Sequence, residues 1–252
     1  MTLILQDKIP YDVSTKSLPG VSPLRMEDWI WQDDAFAGQM ALRDELIATR
    51  RDDVIAMQEG SEDAAQELLD MVVLWLGAHA EGYRVETTQV TRPDQKTVPL
   101  DCTAPMVTLG QLVQEDLCVL QKHGDEHVLT AAALCFPANW HLSQKIGRPL
   151  TTIHDPVPNY DAKIAQRVQR LFDGVQPDRP LWRFNALHYA DPELFQPERR
   201  HGEYQGLHAA VFPYFRSERQ CVLRLPKTRA CVFSIHTFVI AKSMAPGEEN
   251  DA

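Results

Sequence analysis

The clearest periodicity in the chain lies near its C-terminus. From Ala230 to Ile240, the residues Cys231, Phe233, Ile235, Thr237 and Val239 alternate with Ala230, Val232, Ser234, His236 and Phe238, which is the period of a β-strand. Both faces are largely apolar, so this strand is expected to be covered on both sides. Gln220 to Leu225 reads as its partner, and Pro226-Lys227-Thr228-Arg229 between them has the length of a hairpin loop. His127 to Phe136 and Leu181 to Tyr189 read as further strands, with a short one near Tyr83–Val90.

Helical signals come mostly earlier. Ser61 is a suitable N-cap for a segment in which Leu68, Leu69, Val72, Val73 and Leu76 recur at the spacing of one buried face, with Gly82 past its end. Glu27 to Arg50 carries Trp29, Phe36, Met40, Leu46 and Ile47, and Asp33 and Asp34 are placed to cap a second segment within it. Asp161 is placed to cap a helix with Ile164, Val168, Leu171 and Phe172 on one side, ended by Gly174 and Pro177. Gly110 to Leu120 fits either a short helix or a strand, and Lys122 to His127 reads as a turn. Residues 1–25, broken by Pro10, Pro19, Gly20 and Pro23, read as an arm laid over the body. The polar residues 245–252 read as a disordered tail. Helices first, antiparallel strands later and no internal repeat predict one α+β domain over residues 1–244, with helices packed on a sheet.

Composition narrows the function classes. The chain is 44% hydrophobic and 24% charged, enough to bury a sizeable core. Its net charge of -10 argues against general affinity for nucleic acid or an anionic membrane surface. The longest apolar run, Met71 to Ala78, is too short to span a bilayer, and Asp7 and Lys8 follow the first apolar residues too closely for a secretory signal. The 5 cysteines are scattered without a C-x-x-C pair. They predict reduced thiols in a cytoplasmic protein and no structural zinc or four-cysteine iron–sulfur site. G-x-G-x-x-G, P-loop, G-x-S-x-G and H-E-x-x-H signatures do not occur.

Candidate chemistry gathers between Leu134 and Pro158. Pro156 and Pro158 push Asp155 and Val157 toward extended backbone, so His154 is carried on a stiff segment. A rigid mount suits a metal or haem ligand, while Asp155 equally allows a hydrogen-bonded structural histidine. Trp140 follows Pro137 on a loop, where binding residues concentrate. His123 and His127 are four apart, but Gly124 opposes a helix, and a solvated turn is the better reading than a metal pair. Glu115 and Asp116 are acid–base candidates if buried and solvated charges otherwise. Among Arg183, Arg216, Arg219 and Arg224, the last lies in an apolar strand and calls for an anion. That anion is either an internal carboxylate or a cofactor propionate, phosphate or substrate acid.

Taken in order, Val113-Gln-Glu-Asp-Leu117, Leu134-Cys-Phe-Pro-Ala-Asn-Trp140, Gln144-Lys-Ile-Gly147, Ile153-His-Asp-Pro-Val-Pro158, Arg183-Phe-Asn185, Arg216-Ser-Glu-Arg-Gln220 and Arg224-Leu-Pro226 resemble the haem-dependent oxidative N-demethylase family. The resemblance runs roughly from Pro10 to Val239. It implies a PAS-like antiparallel sheet with flanking helices and an N-terminal helical extension, enclosing haem b. It makes His154 the axial iron ligand, Lys145, Arg183, Arg219 and Arg224 partners of haem propionates or a substrate anion, and Trp140 and Asn185 lining residues. Glu115 or Glu218 would hold an ammonium substrate. The implied reaction is oxidation of a small methylated amine by O₂ with release of formaldehyde. Electrons would come from a separate flavin or iron–sulfur reductase, since the chain carries neither signature, and association into an oligomer is compatible with this role. One departure stands out: Ala186 occupies a position where the family tends to have Trp, which would reshape a pocket wall. The alternative is a non-catalytic haem or small-ligand sensor on the same fold.

Overall fold

The computed structural model describes residues 3–13, 20–153, 162–198 and 212–244. The predicted tail, His154 and Asp161 lie outside them.

The helices of the first half are α1 (Phe36–Thr49), α2 (Arg51–Val54), α3 (Glu62–His79) and α4 (Pro105–Leu112). With them come the short strands β1 (Ser22–Pro23), β2 (Ile55–Met57), β3 (Arg84–Val85), β4 (Gln89–Thr91) and β5 (Thr97–Pro99). The second half supplies β6 (Asp116–His123), β7 (Glu126–Ala133), α5 (Leu142–Lys145), α6 (Leu150–Ile153), α7 (Ala162–Gly174), β8 (Leu181–Tyr189), β9 (Tyr214–Arg224) and β10 (Cys231–Ala241). No described helix is long and apolar enough to cross a membrane.

The α+β expectation holds. A 7-stranded antiparallel sheet runs in the order β1-β8-β9-β10-β6-β7-β2, with a separate 3-stranded sheet β3-β4-β5. The predicted C-terminal hairpin is β9–β10, whose register pairs Arg224 with Cys231 and Tyr214 with Ala241. Its turn is pinned from outside: Glu67 on α3 accepts hydrogen bonds from the backbone of Lys227 (2.6 Å) and Thr228 (2.7 Å). Glu27 to Arg50 is less helical than its pattern suggests, because the chain turns around Trp29 before α1 begins. Trp29 is fully buried and its indole N–H donates to Ser234 Oγ at 3.0 Å, so tertiary contact replaces local helix there. Asp33 does supply a local turn, accepting from the Ala35 backbone at 3.0 Å. Ser61 occupies the N-cap of α3, but its hydroxyl donates to the Gln58 carbonyl instead of accepting from the helix.

Both faces of the sheet are covered, as the doubly apolar β10 predicts. On one face α3 and α4 bury Leu68, Val72, Leu76 and Leu109 against Leu117, Val119, Leu223 and Val232. On the other, α5, α6 and α7 bring Leu142, Leu150 and Phe172 onto Leu120, Leu129, Val222, Cys231 and Ile235. Each fully buried aliphatic side chain contributes about 1.5–3 kcal/mol. These are called below the α3 face and the α7 face.

Beyond the Ile235–Asp116 pair, β10 has no β6 partner. The N-terminal arm and α1 cover that edge: the Gln6 backbone N–H donates to Val239 O (2.9 Å), its side-chain Oε1 accepts from Val239 N (2.8 Å), and Gln39 Nε2 of α1 donates to Thr237 O (3.0 Å). The backbone groups of an otherwise open strand edge are thereby satisfied.

Candidate functional site

Alternation along β8, β9 and β10 sends every second side chain to the α7 face. Two cross-strand rows result. Register aligns Arg183, Gln220 and Ile235 in one, and Asn185, Glu218 and Thr237 in the next. The polar members form a chain of hydrogen bonds. Arg183 donates to Gln220 Oε1 (2.6 Å), Gln220 Nε2 to Glu218 Oε2 (3.2 Å), and Asn185 Nδ2 to the same oxygen (2.9 Å). Arg216, one residue pair further along, donates to the carbonyls of Phe136 (2.7 Å) and Leu194 (3.2 Å) and reaches Glu218 Oε1 at 3.4 Å. Burial pushes the Arg183 guanidinium pKa down against the pull of Glu218. The result is a polar, partly covered floor bordered by the apolar Phe233 and Ile235.

The loop after β7 forms a wall beside this floor. Its start is anchored by Asp116 of β6, which accepts from the backbone of Cys135 (2.7 Å) and Phe136 (2.9 Å) and pairs with the buried Arg43 at 2.7 Å. Asn139 then takes a positive φ of 65° and donates its N–H to Gln196 O at 2.7 Å, which turns Trp140 onto the α7-face core. Lys145 Nζ lies 5.9 Å from the Trp140 ring centroid and donates to the carbonyl of Ile153, the residue before His154. Gly147 reverses the chain at φ 74°, and its N–H donates to Leu129 O at 2.8 Å, fastening the wall to β7.

The predicted site residues are therefore divided. Trp140, Lys145, Arg183 and Asn185 belong to the α7 face, as does Arg224 at its far end. Arg224 donates to Val175 O (3.1 Å), Arg229 O (2.7 Å) and the carbonyls of Phe172 and Asp173. It caps the C-terminus of α7, where unpaired carbonyls and the helix dipole favour a cation. Glu115 and Arg219 point to the α3 face. Arg219 donates to the carbonyls of Trp29 (2.9 Å) and Asp28 (2.5 Å), and its guanidinium lies 4.3 Å from the Trp31 ring centroid. Glu115 Oε1 accepts from the Trp31 backbone (2.8 Å) and pairs with His236 Nδ1 at 3.0 Å, while Asp33 pairs with His236 Nε2 at 3.0 Å. Burial opposes a charge on His236, but the two carboxylates raise its pKa to about 9. A cleft of about 300 Å³ bordered by Trp31, Trp75 and Tyr83 also lies on this side, away from the floor.

Pattern reading left Thr237 and Gln220 without a role, since a strand apolar on both faces does not say which face will be used. The pair His123 and His127 separates across a hairpin turn at Gly124. His127 is buried with Nδ1 2.8 Å from Gln169 Nε2, so it is not part of a solvated turn.

The α7 face thus combines apolar side chains with cations, a carboxylate and an amide. It is a surface suited to an amphipathic ligand bearing anionic groups, and the protein is an α+β protein with such a surface between its 7-stranded sheet and helices. The model of the family "haem-dependent oxidative N-demethylase, alpha subunit-like" matches residues 20–249. The chain belongs to that family.

Proposed function

We propose that the protein is a haem-dependent oxidative N-demethylase subunit that removes a methyl group from a small amine as formaldehyde. The carrying observation is the α7-face floor in a chain that matches the family from residue 20 to 249. The sheet order supports it: β7-β6-β10-β9-β8, renumbered along the chain, is 2-1-5-4-3. The helices α5, α6 and α7 fall between the second and third of these strands, which is a PAS-like arrangement.

The residues fit the group. Trp140, Phe233 and Ile235 offer apolar contact to a macrocycle, and Lys145 and Arg183 on the same face offer charge to propionates. His154 is the residue proposed to hold the haem iron, and Lys145 donates to the carbonyl of Ile153, the residue before it in the chain. Haem b, when bound, would supply the redox chemistry by which O₂, two electrons and two protons convert an N-methyl amine to the shorter amine, formaldehyde and water. The protein's part is orientation and electrostatics. Asn185 fixes the Glu218 carboxylate, accepting from the Glu218 backbone at 3.1 Å while donating to its side chain, and Trp140 excludes water along the wall. In this reading Glu115, Arg219 and Arg224 stabilise the fold around the site and do not touch ligand. The proposed electron source is a separate reductase, and the proposed location is the cytoplasm.

The test is spectroscopic and then catalytic. Purified protein reconstituted with haemin should show a Soret band that His154→Ala removes, and with NADPH and a reductase it should release formaldehyde from a methylated amine. A protein that takes up no haemin refutes the reading. Haem uptake with no formaldehyde from a broad amine panel would favour the sensor.

A further inference from the structure

The cleft of about 300 Å³ on the α3 face is walled by two parts of the chain. The C-terminal end of α3 and the residues after it bring Trp75, Leu76, Glu81 and Tyr83, and the turn around Trp29 brings Glu27, Ile30 and Trp31. The walls are pinned to each other, because the Trp75 indole N–H donates to Met26 O at 2.6 Å. Tyr83 is fixed as well, its hydroxyl donating to Leu112 O at 2.8 Å. With their polar ends engaged inside the protein, Trp75 and Tyr83 offer the cleft ring carbon, beside the aliphatic Ile30 and Leu76.

Charge decides what such a lining takes. No lysine or arginine lines the cleft, whereas two carboxylates, Glu27 and Glu81, do. Arg25 approaches Glu27 at 3.4 Å but makes two hydrogen bonds to Asp28, at 2.8 and 3.1 Å. Glu81 has no ion pair among the described residues. The α3 C-terminus adds the negative end of an 18-residue helix. Behind Trp31 the charges balance, two of each sign: Glu115 and Asp33 enclose His236, and Arg219 lies 4.3 Å from the Trp31 ring centroid. His79 is the one lining residue able to carry a positive charge, and its ring lies against Trp75 at 5.3 Å between centroids. The excess in the cleft is therefore negative, and aromatic rings attract cations in their own right. A metal ion would need several converging ligands, and no such group exists among the described residues. An anion would be repelled, and a neutral molecule would gain nothing from the carboxylates.

We propose that this cleft binds a small organic cation with a methylated ammonium head, at a site separate from the haem site. The methyl groups pack on Trp75, Tyr83 and Leu76, and Glu27 and Glu81 answer the charge. Such binding needs neither haem nor turnover, so it stands independently of the demethylase reading.

Calorimetric titration of the full-length protein at pH 8 tests this, using choline and 3,3-dimethylbutan-1-ol, in which carbon replaces the ammonium nitrogen. Choline should bind about tenfold more tightly than the neutral alcohol, the scale of a partly desolvated cation–π contact. Glu27 and Glu81 are exposed, so the double variant Glu27→Gln/Glu81→Gln should melt as the parent does. It should lose about three- to tenfold in choline affinity with the alcohol unaffected. Nuclear Overhauser contacts from the choline methyl groups to tryptophan ring protons should locate the head. Equal binding of choline and the alcohol, no choline binding, or choline binding untouched in the double variant overturns the proposal. Loss of choline binding on loading with haemin puts the cation in the haem pocket and also overturns it. Unchanged binding keeps the site whether or not any amine is demethylated.

Discussion

His236 should remain an imidazolium well above neutral pH, and the fold should depend on that charge. Its ring is fully buried between Glu115 and Asp33, each at 3.0 Å, and its pKa is raised from 6.5 to about 9. A rise of that size corresponds to about 3 kcal/mol of stability. Because the folded value lies above the unfolded one, the contribution is fully present below about pH 6.5 and is lost as pH climbs through about 9. Asp33 works in the opposite sense. Burial would raise its pKa, but hydrogen bonds from His236, Gln114 and Gln6 depress it, so its contribution fades as pH falls through the carboxylate range. Between pH 6.5 and 9.5 the melting temperature should drop by roughly 6–12 °C, at about 2–4 °C per kcal/mol for a chain of this size. Histidine-selective NMR would show one imidazole titrating far above the rest, and Glu115→Gln should move that midpoint down. A His236 that titrates at or below 6.5, or a midpoint indifferent to Glu115→Gln, refutes the reasoning.

Other substitutions probe the supports of the site. Asp116→Ala strands the buried Arg43 charge and the N–H groups of Cys135 and Phe136, a loss of about 3–5 kcal/mol. A denaturant titration should show it, and weakened haem uptake should accompany it because Asp116 anchors the start of the Trp140 wall. Gly147→Ala should cost about 1–2 kcal/mol from its positive φ. An added Cβ would lie 2.5 Å from Gln58 Nε2, yet Gln58 is an exposed, flexible side chain, so Gln58→Ala should recover little of the loss. Cys102 is exposed and the other cysteines are buried, with burial raising Cys135 to about 12 and Cys221 to about 11. A thiol reagent should therefore modify one cysteine quickly in the native protein and the remainder only on unfolding.

Much of the architecture was legible in the residues. Leu181–Tyr189 is a strand as its pattern implies, the Pro226–Arg229 loop closes the expected hairpin, and α3 buries the predicted stripe. These elements obey local rules of period, capping and turn length. Trp29 broke them because the interior it enters is assembled from distant strands.

The candidate site was legible only as an inventory. The order of short words along the chain carried the family, and it named Trp140, Lys145, Arg183 and Asn185 together with Glu115, Arg219 and Arg224. Their division came from packing. Arg219 and Gln220 are neighbours in sequence and lie on opposite sides of one sheet, because successive strand residues point to opposite faces. Where both faces are apolar, periodicity marks the strand without marking which face will hold a ligand. Strand register then aligned Asn185, Glu218 and Thr237 across three strands far apart in the chain, and the placement of helices α5 to α7 made that row the floor. Pairing across such separations depends on contacts that no local segment contains.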